Sequence, residues 1–399
     1  MKLSPESLRK TYDAGSFSAL REAMDRHQKG IIGQKRAVRA LQFGLGNRAP
    51  GFNVYVSASD GDAKFPVIEH FLRSMVQQDP MPSDWCYVNN FADPYCPNAL
   101  CLPRGMAKKF KSDIENFIAQ AKGALIKTFE SEEFIKKQSA IKEGFNKQQQ
   151  LLVTELNEKA IAENLVIKQT PMEILAIPVV NNQPLTPEQF QTLSKAERDV
   201  IRDKQREFQQ LMQTVMRKSR DIDREAGKAM LELEQNAALY AIGDLLDDVL
   251  EVYRDIEEIP EYLEALKNDI LENLFLFLQD GKGQNDYNLI SQQKSLEQRY
   301  EVNVLVDNEK VDTAPIVVEL NPNYNNLFGK IERESVMGTL VTNFSLIRSG
   351  SLHHANGGYL VLPVDELLRS PFSWDTLKRA LRNQRIEIED PYEKLGLIS

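Results

Sequence analysis

The sequence predicts an α/β protein in which a domain built on a parallel sheet is interrupted by a long antiparallel helical arm with a small β tip. Strand-like apolar runs occur in residues 1–105 and return in residues 300–399. Residues 106–299 between them are charged, rich in Gln and patterned like helices. We therefore expect residues 1–105 and 300–399 to form one domain, and residues 106–299 to be an insertion within it.

The first part alternates helices and strands. Apolar residues recur at helical spacing over Gln34–Leu45 and again over Val67–Met75, whereas Phe52–Val56 and Trp85–Val88 have the composition of strands. Strand, helix and strand in succession favour a parallel sheet with crossover helices.

The insertion is predicted to be two long helices joined by a hairpin. Thr186-Pro187 can cap a helix start, and Leu165–Leu185 is β-branched and contains Pro, as a hairpin would. A plain helical bundle packed on the core is the alternative to a projecting arm. The second stretch has a coiled-coil-like seam with a period of seven, formed by Ile201, Phe208, Val215, Ile222 and Ala229, with Met212, Ala226, Leu233 and Tyr240 beside it. The first stretch, Met106 to Asn164, has a weaker seam formed by Phe110, Ile114, Phe117, Ala121, Ile141, Phe145, Leu152 and Leu156.

The second part of the sheet domain contains four predicted strands and a helix. The strands are expected at Val302–Val306, Ile316–Leu320, Thr339–Val341 and Gly357–Leu362. The helix is expected over Ser373–Asn383.

Charge and hydropathy narrow the classes of partner. The formal net charge of −9 argues against nucleic acid or an anionic membrane as the main partner. The most apolar helical run, Leu271–Leu278, is too short to span a bilayer, and the N-terminus lacks the pattern of a signal peptide. We expect a cytoplasmic protein whose partners are proteins or peptides.

Cysteines and histidines offer no metal site in the sequence. Cys86, Cys96 and Cys101 are spaced like neither a zinc ribbon nor a redox pair, which favours free, buried thiols. His353 and His354 are adjacent in a predicted strand and have no further ligand nearby.

A nucleotide site is expected after the strand Phe52–Val56, but its motif is degenerate. With Lys64 placed on the P-loop lysine, Ala58 and Ala63 replace the two glycines and Phe65 replaces the hydroxyl residue that binds Mg²⁺; only Lys64 and a middle glycine, Gly61, remain. The added Cβ atoms hinder close approach to phosphate, so phosphate binding is expected to be weak or absent. Taken alone, Lys64 is equally a surface lysine at a helix start.

The acidic strand end that usually holds Mg²⁺ is altered as well. After the strand that ends at Leu362 come Pro363 and Val364, so Asp365 and Glu366 are displaced by two residues. On a continuing strand this moves the carboxylate by about 6.5 Å, which predicts that the usual metal geometry is lost.

Several segments together resemble the Lon-like (LonB/LonC-type) proteases. They are Ile31–Ala37, Gly51–Val56, Asp84–Phe91, Leu352–Leu362 and Pro371–Leu381. The resemblance implies a hexameric AAA+ ring that, in the parent protein, is stacked on a Ser-Lys peptidase domain lying beyond this chain, so no catalytic residue is assigned here. It also implies that Ile32, Gly33 and Gln34 line an adenine pocket and that Lys64 is the phosphate lysine. Asn326–Thr339 is similar to a pore-facing loop, with Met337 as a substrate-touching tip.

Three functions follow as hypotheses. The first is a non-hydrolysing ring module that feeds a peptidase chamber, with no cofactor required, and captures unfolded protein through tip residues such as Ile174, Leu175 and Ile177. The second is an active ATPase that uses Lys64 with Asp365 or Glu366. The third is a scaffold or adaptor whose coiled coil joins partners.

Overall fold

The computed structural model describes most of the chain. The described ranges are 34–47, 51–58, 64–76, 81–169, 174–180, 183–185, 187–192, 194–278, 298–336 and 338–389, with residues 4, 13, 15, 49 and 296. The chain divides into two compact units: residues up to 115, 256–259 and from 297 on form the first, and residues 116–255 and 260–296 form the second.

Two helices in the described part of the first unit are as the sequence predicts. Helix α1 spans Lys35–Gly46 and helix α2 spans Lys64–Met75. The strand predicted at Phe52–Val56 is wrong: residues 52–58 are an exposed segment that pairs with no described strand. This segment lies against α1, where a Cβ on Gly44 would come within 2.8 Å of Val54.

The larger sheet of this unit is antiparallel, which corrects the expected parallel order at this place. Its strands are β1 (Asp84–Val88), β2 (Asn98–Leu102) and β6 (Asn303–Val306), and β1 lies between the other two. Burial alternates along β1, so Asp84, Cys86 and Val88 face the interior. The nine residues between β1 and β2 explain the direction of this pair, because a parallel crossover needs about a dozen residues or more.

The buried Asp84 carboxylate joins three segments of the first unit. Its Oδ2 accepts from the backbone N of Ala107 (3.0 Å), the first residue of helix α3 (Ala107–Phe129), and its Oδ1 accepts from Asn308 N (2.8 Å). Nearby, Arg104 donates to the backbone of Asn308 and Glu309. The start of α3 is thereby fixed against the loop that follows β6.

The remaining strands of the first unit form two-residue and three-residue pairs. Strand β7 (Ile316–Val318) pairs with β12 (Tyr359–Val361), and this is the one parallel pair among the described strands. Helix α2 packs on β7. The antiparallel pairs are β8 (Lys330–Ile331) with β11 (Ile347–Arg348), and β9 (Glu334–Val336) with β10 (Thr339–Val341).

Short helices cover these strands. They are α9 (Tyr324–Phe328), α10 (Ser351–His354), α11 (Val364–Arg369) and α12 (Ser373–Asn383), the last as the sequence predicts. A 3₁₀ turn spans Phe344–Leu346. Their shared core consists of Tyr324, Leu327, Phe328, Leu367, Leu377 and Ala380.

The second unit is helical. Helix α4 spans Glu132–Ala162 and helix α6 spans Lys195–Tyr253; shorter helices are α5 (Pro187–Thr192), α7 (Glu258–Glu272) and α8 (Phe275–Leu278). A helix begins at Pro187 as expected, but it ends after six residues, and the long helix starts separately.

Helices α4 and α6 pack along each other in opposite directions. Near the start of α6, Lys204 Nζ is 3.0 Å from Glu163 Oε2 at the end of α4, whereas farther along α6 Asp223 pairs with Gln149, earlier in α4. The predicted seam residues are buried or half-buried among exposed neighbours. Tyr240 is the exception: it is 87% exposed, so its assignment to the seam is wrong.

A small antiparallel sheet connects the two long helices. Its strands are β3 (Leu165–Gln169), β4 (Ile174–Val180) and β5 (Gln183–Pro184). The expected hairpin is confirmed and carries a third strand. None of the helices in the described part of the chain has the length and apolarity that a bilayer crossing requires.

Candidate functional site

The predicted nucleotide residues are described only in part. Gln34 is exposed just before α1, and Lys64 is the half-buried first residue of α2. Ile32, Gly33 and Gly61 lie outside the described residues. Gln34 and Lys64 therefore lie at the starts of two helices. A surface lysine without a ligand is equally compatible with the position of Lys64.

The acidic residues after β12 lie on a helix, which corrects the expectation of a continuing strand. Pro363 precedes α11, and Asp365 and Glu366 occupy the first turn of that helix. Glu366 accepts a hydrogen bond from Arg369 (2.8 Å) one turn later. Carboxylates are favourable at a helix N-terminus, so both residues have a structural role that needs no metal.

The predicted substrate-touching residues lie at the edge of what the structure describes. Met337 lies outside the described residues, between β9 and β10, and is followed by Gly338 with φ of +80°. Ile174 and Leu175 open β4 opposite Gln169 and Lys168. Their role in substrate contact stays a prediction.

An open polar cleft of about 550 Å³ in the first unit is a further candidate site, and sequence reasoning missed it. One wall comes from the segment Glu319–Asn326, with its asparagines at 323, 325 and 326. The facing residues come from the β8–β11 pair and the start of α10. Asn326, Lys330 and His354 belong to segments quoted for the family resemblance, but only the fold brings them together.

Two glycines allow a close backbone crossing at the cleft, which Gly350 lines. A Cβ on Gly329 would be 2.1 Å from Arg348 O, and a Cβ on Gly350 would be 2.4 Å from Leu327 O. Gly329 also has φ of +87°, a conformation that L side chains rarely adopt. Any larger residue at either position would push the two walls apart.

Hydrogen bonds fix the acidic wall. Glu319 Oε2 accepts from Ser351 Oγ (2.6 Å) and Glu319 Oε1 accepts from Asn321 N (2.8 Å). Asn323 caps α9 by accepting from Asn326 N (2.9 Å). Each oxygen of the Glu319 carboxylate therefore accepts one hydrogen bond from a neighbouring segment.

The basic wall consists of Lys330 and Arg348, held by Glu332. Lys330 Nζ is 2.8 Å from Glu332 Oε1, and Arg348 Nε donates to Glu332 Oε2 at 2.8 Å. Hydrogen bonds from Lys330 and Arg348 lower the pKa of Glu332. The two cations and this carboxylate form one network, which orients the guanidinium plane.

Two histidines lie on the turn of helix α10 rather than on a strand, which corrects the prediction for this segment. His353 Nδ1 accepts from Gly350 N (3.1 Å), and His354 Nε2 is 3.1 Å from Ser349 Oγ. Burial, followed by the charge of His354, lowers the pKa of His353 to about 4. Burial also lowers the pKa of His354, so both rings are neutral at pH 7.

The three cysteines differ in environment, so the expectation of buried thiols holds in part. All three are free; Cys86 is buried, Cys101 is half-buried and Cys96 is exposed. Burial, then the charge of Asp84, raises the pKa of the Cys86 thiol to about 12. Cys86 is therefore a packing residue, since the reactive species is the thiolate.

Comparison with known families matches two segments of the chain. Residues 312–399 match the family described as "LonB-like, AAA domain", and residues 84–117 match the family described as "Lon-like LonC helical domain". No curated protein matches the chain. The polar cleft lies inside the first matched segment, and β1, β2 and the start of α3 lie inside the second.

Proposed function

We propose, on the premise that the chain is a member of the Lon-like protease family, that it supplies the AAA+-like and substrate-capturing region of a serine protease acting in protein degradation. Membership rests on the two matched segments. In this proposal the peptide bond is cleaved by a Ser-Lys peptidase domain, and no residue of this chain acts in that step. We place the protein in the cytoplasm, assembled into a hexameric ring, with unfolded proteins or peptides as substrates.

The proposal includes a nucleotide site that does not hydrolyse ATP. The observation that carries it is the position of Asp365 and Glu366 in the first turn of α11, with Glu366 bonded to Arg369. Hydrolysis needs a carboxylate at a strand end to hold Mg²⁺ or to orient the attacking water. Phe65, the second residue of α2, adds to the argument because it offers no hydroxyl to a metal.

The proposal also assigns substrate capture to the sheet between the long helices. Support comes from the antiparallel pairing of α4 with α6 and from the apolar composition of β4, Ile174 to Val180. Exposed apolar strands bind unfolded chains by covering hydrophobic surface. Val166 in β3 is 44% exposed, so this sheet does present apolar surface to solvent.

Thermal unfolding with and without millimolar ATP and Mg²⁺ tests the nucleotide part. We expect no shift in Tm, whereas a ligand at 100 times its Kd would stabilise the fold by about 2.7 kcal/mol. Lys64→Ala and the exposed-helix control Lys109→Ala should then behave alike. A shift that only Lys64→Ala abolishes would contradict the proposal and favour the ATPase alternative.

Binding of a permanently unfolded, fluorescently labelled polypeptide without nucleotide tests the capture part. We expect the double variant Ile174→Ser with Leu175→Ser to bind it more weakly than the native chain. Leu151→Ser is the matched control, because Leu151 is 63% exposed on α4, away from the sheet. No binding by the native chain would instead favour the scaffold alternative.

A further inference from the structure

The basic wall of the cleft, formed by Lys330 and Arg348, has hydrogen-bond donors that are not used within the protein. Arg348 uses Nε on Glu332, and within the described ranges its two Nη atoms donate to no group. Lys330 makes one contact, also to Glu332. Both side chains are about half exposed, at 52% for Arg348 and 53% for Lys330. The guanidinium therefore presents its outer edge, with two parallel N–H directions, to solvent in the cleft.

The opposite wall accepts no hydrogen bond from those donors among the described residues. Both oxygens of Glu319 are already engaged, by Ser351 Oγ and by Asn321 N. Asn323 Oδ1 is engaged by Asn326 N. Asn325 is exposed, and in the described part of the chain its side chain makes no hydrogen bond. Among the described residues, therefore, no group of the cleft accepts from the Arg348 Nη atoms, and the unbonded Asn325 amide lines the same cleft.

The charge balance selects the kind of acceptor. Lys330 and Arg348 are offset by Glu332 and by Glu319, so the site has no large positive field to attract a polyanion. A carboxylate instead gains from geometry, since it accepts two parallel bonds from one guanidinium. The close glycine crossing at the cleft and the Glu332 contacts hold Arg348 in place beforehand, which reduces the entropic cost of binding.

We propose that this cleft binds the terminal carboxylate of an extended peptide, with the Nη atoms of Arg348 as its bidentate partner. Lys330 adds charge, and the Asn325 side-chain amide pairs with the peptide group next to the carboxylate. This rests on the proposed function, in that the molecules handled are unfolded polypeptides. It goes further by giving the first unit a peptide site of its own.

Fluorescence anisotropy with a short labelled peptide tests the site. The peptide has no acidic side chain and is used in two forms, with a free C-terminal carboxylate and with a C-terminal amide. We expect the acid form to bind at least tenfold more tightly. Arg348→Ala should remove this preference, and Arg348→Gln should do the same while keeping a polar side chain. Arg382→Ala, on the exposed face of α12, is the control and should keep the preference.

Equal binding of acid and amide forms, or a preference that survives Arg348→Ala in a folded variant, would overturn the proposal. Competition arms separate the sources of the anion. Acetate as strong a competitor as the acid peptide would mean a site for free small carboxylates, and phosphate stronger than acetate would mean a general anion site; either result overturns it. Capture of the unfolded polypeptide by the small sheet is measured separately. A negative result for the cleft therefore does not contradict the proposed function, and a negative result for capture does not contradict the cleft proposal.

Discussion

His353 shows how one side chain can link folding to pH. Its ring is mostly buried, and its Nδ1 accepts a hydrogen bond from Gly350 N, which requires that nitrogen to be unprotonated. The unfolded chain has no such constraint. Between the unfolded pKa of 6.5 and the folded pKa of about 4, the unfolded state binds more protons than the folded state. The contribution of neutral His353 to the free energy of unfolding is therefore fully present above pH 6.5 and is lost as the pH falls toward 4.

We predict that His353→Asn flattens this dependence. Asn keeps an acceptor for Gly350 N but does not titrate, and the difference in pKa corresponds to at most about 3 kcal/mol. Urea unfolding at pH 4.5 and pH 7 measures the effect, and comparing variant with native chain removes the contribution of the carboxylates. Equal losses of stability in both chains would show that His353 is not the group responsible.

At the scale of elements, the pairing of α4 and α6 depends on a narrow apolar line. Where the helices meet the small sheet, Ala160, Leu165 and Phe208 form a buried cluster. Much of the remaining surface of both helices is polar and exposed. Stability here comes from a few buried side chains, because isolated ion pairs on exposed helices contribute at most about 1 kcal/mol.

We predict that Phe208→Ala destabilises the helical unit by about 3–5 kcal/mol, the usual cost of removing a buried phenylalanine. Phe208 is 3% exposed. The matched control is Tyr240→Ala on the same helix, which removes an aromatic ring that is 87% exposed and should change stability by no more than about 0.5 kcal/mol. Calorimetry of the three chains gives the comparison, and similar effects of the two substitutions would refute the role of the seam.

At the scale of the whole molecule, the chain divides into two compact units. The first is held by the sheet around β1 and by the cluster around Tyr324 and Phe328; the second is held by its helices. Multidomain chains commonly unfold in more than one step.

We predict two calorimetric transitions that respond to different substitutions. Asp84→Ala leaves two buried backbone N–H groups without acceptors, at a cost of about 3 kcal/mol, and should lower only the transition of the first unit. Phe208→Ala should lower only the other. Asp93→Ala, in an exposed loop, is the control. A single transition moved by both variants would show that the units unfold together.

Local pattern determined much of this protein. The helices at Lys35–Gly46, Lys64–Met75 and Ser373–Asn383, the strand at Asp84–Val88 and the seam of α6 follow from apolar periodicity, which depends on nearby residues alone. Short motifs also indicated the resemblance to the Lon-like proteases, and Lon-like family models match residues 84–117 and 312–399. The degenerate nucleotide site and the capture of substrate remain proposals.

Only the tertiary structure decided how those elements combine. Phe52–Val56 has the composition of a strand but finds no partner among the described strands, because pairing depends on residues distant in sequence. The residues around Asp365 form helix α11, because strand β12 ends before Pro363. The polar cleft lies where Gly329 and Gly350 allow two backbone segments, 21 residues apart in sequence, to cross closely. Sequence periodicity reports only on neighbouring residues and does not predict such a crossing. The carboxylate site proposed for Arg348 could therefore be recognised only in the tertiary structure.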